Sequence, residues 1–268
     1  MQEDEYVAIS LKRGAIAQLV RALPCHGRGC GFEPRWLRWP LMTTLRINEI
    51  YTSIQGESTY AGLPCVFVRT TGCDLRCTYC DTEHAFYEGS RMSIDEIITR
   101  VTRENISLVE VTGGEPLLQH SCPELLSALC DAGFCVLLET SGAQDISKVD
   151  SRVHRIMDIK CPSSGEAENF FNPNIRHLSP IDEIKFVIGS REDYEYARNM
   201  IRENNLSERV KAILLGAVFR HIPRMGYVKG HSGIDPRLIV QWMLEDRLPA
   251  RFQLQMHKFI WPPDQRGV

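Results

Sequence analysis

The sequence predicts an α/β fold, a partial, open (β/α) barrel of about six or seven mostly parallel strands. Two observations carry that expectation. Downstream of Met42, short apolar segments alternate with segments of helical pattern, the order that parallel strands joined by crossover helices require. Glycines and small polar residues follow the carboxyl ends of successive strand segments, as in Thr112-Gly113-Gly114 and Thr140-Ser141-Gly142. Barrels and open α/β sheets both build their sites there. The strands are too few for a closed eightfold barrel.

Residues 64–71 (PCVFVRTT) are apolar and β-branched and read as a strand. Residues 93–105 read as a helix opened by a Ser93-x-x-Glu96 capping box. Residues 107–112 (SLVEVT) form the next strand, and residues 123–132 a helix with proline at its start and Gly133 after its end. Strands follow over 134–140 and 155–160 (RIMDIK), the second running into Cys161-Pro162-Ser163-Ser164-Gly165. Then come a strand over 183–188 (EIKFVI), a helix over about 192–204, a strand over 210–219, a helix over 236–245 and a last strand over 251–256 (RFQLQM).

A chain of 268 residues with 43% hydrophobic residues is enough for one large packed domain. No apolar run approaches the roughly 20 residues of a membrane span. The acidic start (Glu3, Asp4, Glu5) does not read as a secretory signal. A net charge of −3 argues against a surface that tracks nucleic acid phosphates. Membrane and nucleic acid drop out as partners and a small molecule remains. Ten cysteines without an export signal suit a reducing cytoplasm. Seven of them (Cys25, Cys30, Cys65, Cys122, Cys130, Cys135, Cys161) are scattered and read as small buried hydrophobes.

Residues 1–41 differ from the rest. The stretch 14–39 has neither helical nor strand period. Ile16-Ala17-Gln18-Leu19-Val20-Arg21-Ala22 back-translates to a sequence resembling the D-arm of a bacterial transfer RNA gene, and Gly31-Phe32-Glu33-Pro34 to one resembling its T-arm. The expectation is that translation begins at Met42, the alternative being a flexible extension. Either way Cys25 and Cys30 carry no chemistry, and residues 42–268 are the working domain.

The remaining three cysteines crowd into Cys73-Asp74-Leu75-Arg76-Cys77-Thr78-Tyr79-Cys80. A four-iron cubane takes thiolates on separate irons, and a short loop with three of them leaves one iron open to chemistry. A zinc-binding module is the competing reading, with His84 as a fourth ligand, but no second ligand pair lies at the usual spacing. This spacing, the aromatic Tyr79 before the third cysteine, and Gly113-Gly114-Glu115-Pro116 resemble the radical S-adenosylmethionine (SAM) superfamily. That resemblance implies a 4Fe-4S cluster on Cys73, Cys77 and Cys80. It implies SAM contacts from Tyr79, Gly113, Gly114 and Glu115, whose exposed backbone and carboxylate suit the cofactor's amine.

Further motifs narrow the choice: Ile54-Gln55-Gly56-Glu57-Ser58, Arg69, Asp81-Thr82, Glu139-Thr140-Ser141-Gly142, the segment from Asp158 to Gly165, and Gln255-Met256-His257-Lys258. Together they resemble the 7-carboxy-7-deazaguanine synthase family, from about Arg46 to the C-terminus. The resemblance implies conversion of 6-carboxy-5,6,7,8-tetrahydropterin to 7-carboxy-7-deazaguanine with loss of ammonia, on the route to queuosine. It implies SAM contacts from Ser141, Asp158, Lys160 and Ser163, with Lys185 ranked lower. Substrate contacts are implied for Ile54, Gln55, Gly56, Glu57, Arg69, Thr112 and His257, the last at the end of the final strand. It also implies Mg2+ on Thr82, a reductant such as flavodoxin, and a homodimer. The alternative within the superfamily is a glycyl-radical-enzyme activase. No role follows for residues 220–235, nor for the tail after His257-Lys258.

Overall fold

The computed structural model describes residues 43–219, 233–262 and 265–268. The expectation for residues 1–41 lies outside them, as does most of the unassigned stretch 220–235. One nine-stranded sheet organises the described residues, in the order β3-β1-β2-β4-β5-β6-β7-β8-β9. Its strands are β1 (Thr44–Ile54), β2 (Pro64–Thr70), β3 (Ser90–Ser93), β4 (Leu108–Gly113), β5 (Cys135–Thr140), β6 (His154–Asp158), β7 (Glu183–Ile188), β8 (Ala212–Ala217) and β9 (Arg251–Gln253). The run from β2 through β9, omitting β3, is parallel throughout. Those seven strands are the partial barrel the sequence predicts. β1 and β3 extend it as antiparallel strands, with β3 at the edge, and the sequence does not predict either. β1 mixes charged and apolar residues, and β3 is four residues long.

The helices α1 (Ile94–Arg103), α2 (Cys122–Asp131), α3 (Arg191–Glu203) and α4 (Pro236–Asp246) precede β4, β5, β8 and β9, while β5, β6 and β7 are joined without an α-helix. The capping box at α1 forms: Glu96 N donates to Ser93 Oγ at 3.3 Å and Ser93 N to Glu96 Oε2 at 2.7 Å. Its Ile94, Ile97 and Val101 then fall on one face and are buried. Strand residues such as Val66, Val68, Val109, Val111, Ile184 and Phe186 join them in the main core. Because side chains alternate across a strand, Phe67, Glu110, Thr112, Glu139, Asp158 and Lys185 take the other face, the concave one.

β9 is shorter than predicted. It ends at Gln253, and His257 opens a short helix, α5 (His257–Ile260), instead of closing a strand. The sheet curls without closing, since β3 and β9 are its two unpaired edges. The chain leaving β1 covers the seam: Met256 N donates to Gly56 O at 2.9 Å, Ser58 N to Gln253 Oε1 at 3.0 Å, and Thr59 N to Glu183 Oε2 at 3.0 Å. No helix among the described residues is long and apolar enough to cross a membrane.

Candidate active site

The concave face encloses a cavity of about 310 Å3. Its upper wall is the loop after β2, from which Cys73, Cys77 and Cys80 all line the space as free thiols. The loop sits where the glycines after β4 allow it to. A side chain at Gly114 would collide with the Gly72 carbonyl and come within 2.7 Å of Cys73 Cβ. Glu115 N donates to Gly72 O at 2.8 Å, tying the two turns together. Burial pushes the Cys77 thiol up to about 11 and raises Cys73 and Cys80 too, so a bound metal would have to supply the charge that makes them thiolates. Among the described residues, no three His, Cys, Asp or Glu side chains converge on a single metal point. Ligands to separate irons of a cubane need not converge in that way. The donor set and its placement on one loop fit a cluster.

Next to the cysteines, Tyr79, Gly113, Gly114, Ser141, Asp158 and Lys160 line the same cavity. Lys160 Nζ donates to Asp158 Oδ2 at 2.9 Å, while Asp158 Oδ1 is buried without a hydrogen-bond partner. An orphaned buried acceptor in a cavity also lined by half-buried glycines fits a cationic or hydroxyl-bearing ligand. Two of the predicted cofactor contacts are turned elsewhere. Glu115 is fully buried, and its carboxylate accepts from Leu117 N (3.0 Å), Thr140 Oγ1 (2.9 Å), and Ser141 N (2.7 Å) and Oγ (2.6 Å). It fastens β5 to the glycine turn, leaving Gly113 and Gly114 to face the ligand. Ser163 lies outside the cavity lining, with its N–H on Asp193 Oδ1 (2.8 Å) and its hydroxyl on Ser190 Oγ (3.1 Å).

Away from the cysteines, the floor is a charge network. Lys185, on β7, pairs with Glu57 (2.5 Å), Glu139 (2.7 Å) and Asp158 (3.6 Å). Burial pushes the Glu57 carboxyl up, but Lys185, His257 and a hydrogen bond from Gln255 outweigh it and hold the group at about 2. Glu110 behaves oppositely, since burial and the neighbouring Glu139 raise it well above the ordinary carboxylate range. Gln55 bridges the two: its Nε2 donates to Glu110 Oε2, and its Oε1 accepts from Glu57 N at 3.0 Å. Arg69 donates to Glu49 Oε1 at 2.8 Å and to the Tyr51 hydroxyl at 2.9 Å. Burial lowers the His257 imidazole below its usual value. Gly56 is required there, because a Cβ would collide with His257 Nδ1.

Residues 67–216 match the family model of the Radical SAM superfamily. A 7-carboxy-7-deazaguanine synthase from Koribacter versatilis is 46% identical over 226 residues, covering 84% of this chain and 100% of that protein. The synthase of the same name from Chlorobaculum tepidum is 48% identical, covering 84% of this chain and 97% of its own. The chain belongs to the 7-carboxy-7-deazaguanine synthase family. Its fold is shared by the crystal structure of QueE from Escherichia coli, with a TM-score of 0.62 at 22% identity over 80% of this chain and 95% of that one. As a radical SAM family member, it uses a 4Fe-4S cluster and SAM.

Of the residues the synthase family resemblance picked out, Ile54, Gln55, Gly56, Glu57, Arg69, Thr82, Thr112 and His257 all line the cavity with the cysteines. Sequence reasoning missed Glu110, Glu139 and Lys258 as members of the site and placed Lys185 too low. Lys258 is 4% exposed and pairs with Asp81 at 2.5 Å, joining α5 to the end of the cysteine loop. The tail returns to the mouth as well: residues 265–268 line the cavity, and Arg266 pairs with Glu88 at 2.9 Å.

Proposed function

We propose that this chain is a lyase converting 6-carboxy-5,6,7,8-tetrahydropterin to 7-carboxy-7-deazaguanine with loss of ammonia, a step toward queuosine and other 7-deazapurines. The observation that carries the reading is a shared wall: Cys73, Cys77 and Cys80 line one cavity with Gln55, Glu57, Arg69, Thr112 and His257. A 4Fe-4S cluster held by Cys73, Cys77 and Cys80, with SAM beside it, would supply radical chemistry at the cavity wall.

The chain's own residues bind and orient. Arg69, held by Glu49 and Tyr51, turns its remaining guanidinium edge to the substrate carboxylate. Gln55 has both ends of its amide fixed, so it meets the pterin edge in one orientation. Charged Glu57 accepts from the pterin's amino and amide groups, and His257 closes the pocket. Mg2+ on Thr82 belongs to the same reading, supported by the hard oxygens of the Thr82 hydroxyl and Asp81 Oδ1, 2.9 Å apart at the cavity mouth. A flavodoxin-type electron donor, a homodimer and a reducing cytoplasmic setting complete it. The free cysteines at Cys65, Cys122, Cys130, Cys135 and Cys161 suit that setting. Residues 42–268 are proposed as the working domain, supported by the 226 matched residues that account for the whole of one relative.

The test is an anaerobic assay with dithionite, SAM, Mg2+ and the carboxytetrahydropterin, followed by mass spectrometry. The expected product is 7-carboxy-7-deazaguanine, abolished by Cys77→Ala and reduced by removing Mg2+ or by Thr82→Ala. Deoxyadenosine without that product would keep the radical chemistry and overturn the substrate.

A further inference from the structure

The turn after β6 grips the cysteine loop on both sides of Cys77. Thr78 N donates to Ser164 O at 3.0 Å, and Thr78 Oγ1 to Ser163 O at 2.7 Å. On the other side, Arg76 N donates to Glu166 Oε1 at 2.7 Å. The gripping turn is itself fixed. Ser164 Oγ donates to Cys161 O at 2.6 Å, Glu166 N donates to Ser164 Oγ at 3.0 Å, and Gly165 takes the left-handed conformation (φ 77°) that lets the chain reverse. Asp193, fully buried at the start of α3, accepts from Ser163 N (2.8 Å) and Gly189 N (2.7 Å), so the turn is anchored to the end of β7.

Glu166 differs from the other two gripping groups because it is a side-chain carboxylate. Its bond to the Arg76 amide is charge-assisted, and such bonds are about twice as strong as neutral ones. The Arg76 guanidinium does not neutralise it. That group folds over its own loop, donating to Cys73 O (2.9 Å) and Leu75 O (2.6 Å) with the Phe86 ring 4.3 Å away. The second carboxylate oxygen accepts from Asn169 Nδ2 at 2.5 Å. We propose that Glu166 is a positioning residue for the iron–sulfur cluster: it fixes the loop beside Cys77 and sets a negative charge next to it. An amide held by Glu166 is also withheld from the cluster sulfurs. Both effects favour the oxidised cluster and lower its reduction potential. The inference rests on the cluster part of the functional reading and not on the pterin.

The test compares Glu166→Gln and Glu166→Ala in the full-length, cluster-loaded protein. One readout is the rate at which visible absorbance is lost to an iron chelator, and the other is the midpoint potential from a titration followed by electron paramagnetic resonance. Glu166→Gln keeps the acceptor and removes the charge, so its cluster is lost within about twofold of the wild-type rate while its potential shifts upward. Glu166→Ala removes both, so cluster loss accelerates about tenfold and the potential also rises. Should the alanine variant fail to fold, the glutamine variant's potential decides alone. Wild-type rates and potential in both variants would overturn the proposal and leave the cluster reading standing. A wild-type protein that takes up no four-iron cluster would overturn both.

Discussion

The two ends of the cavity are built by opposite means. The cysteine end is local in sequence: eight consecutive residues, Cys73 to Cys80, hold all three proposed cluster thiolates and need only be clasped from outside. The floor is assembled from distant segments, with Glu57 after β1, Glu110 on β4, Glu139 on β5, Asp158 on β6, Lys185 on β7 and His257 on α5. No short motif contains it, and no residue of it makes sense without its neighbours. A local site fails by losing ligands. An assembled one fails by losing charge balance or register. The difference separates the effects of substitutions that would otherwise all read as lost activity.

The largest effect at the floor is expected from Lys185→Met. Its ammonium is the shared partner of Glu57, Glu139 and Asp158, with the lysine side chain 6% exposed. Removing one member of a buried charge set leaves the others uncompensated, at a cost of about 3–5 kcal/mol. The urea midpoint should fall accordingly, and Glu139→Gln added to Lys185→Met should recover part of the loss, because one of the stranded charges is then gone. Iron content of the folded fraction should stay at the wild-type level. A Lys185→Met protein of unchanged stability would break the comparison, showing that the floor is not balanced by this ammonium.

Gly56→Ala asks a narrower question. The added methyl would displace the His257 ring and crowd its backbone nitrogen at 3.1 Å, moving a group at the substrate end without touching the cysteine loop. Misplacement of about 1 Å in such a group is worth about 100-fold in turnover. The expected result is a kcat/KM lower by that order, with SAM binding and cluster absorbance retained. Equal losses at both ends would mean that the seam closed by Gly56 and Met256 supports the whole cavity.

The same contrast explains what could be read from sequence. The cysteine loop, the glycine turn after β4 and the α1 capping box depend on neighbours within a few residues, and each sits where its motif predicts. Glu115 shows the limit of such reading. Its motif marks the right turn, but only the fold reveals that Thr140 and Ser141 surround the carboxylate and take it away from the cavity. Ser163 is likewise claimed by Asp193 and Ser190 from the next strand–helix unit. His257 follows a strand that ends early, a boundary that propensity sets poorly in a short edge element. Glu110 and Glu139 lie inside apolar strands and receive no role from the sequence, and Lys185 on a third such strand ranks low, although a signal exists. They alternate in phase with Thr112, Leu137 and Val187 on the concave face, so strand parity alone assigns them to the cavity. The antiparallel β1 alternates only over Leu45 and Ile47 before its register shifts at Ile47/Glu49, and the four residues of β3 are too few to carry a pattern.

The smallest expected effect concerns Glu110, and its sign is the informative part. Burial and Glu139 raise its carboxyl well above the ordinary value of 4.5. The folded protein therefore holds a proton there that the unfolded chain releases once the pH exceeds that value. Where the folded state binds more protons, stability falls as pH rises, so Glu110 costs stability above about pH 4.5 and nothing well below it. Glu57 has the reverse linkage. Held at about 2, it stabilises the fold above the unfolded value near 4.5, a contribution lost as the pH falls through about 2. Glu110→Gln keeps an acceptor for the Gln55 amide and removes the titration. Its melting temperature should exceed that of the wild type by about 2–4 °C at about pH 8, the shift that about 1 kcal/mol produces in a domain of this size. The gain should vanish by about pH 4, where both proteins carry a neutral group at position 110. A variant destabilised at the higher pH would mean that Glu110 is ionised in the fold and that Lys185 serves a fourth carboxylate, making the floor a single charge cluster in place of a balanced pair of opposites.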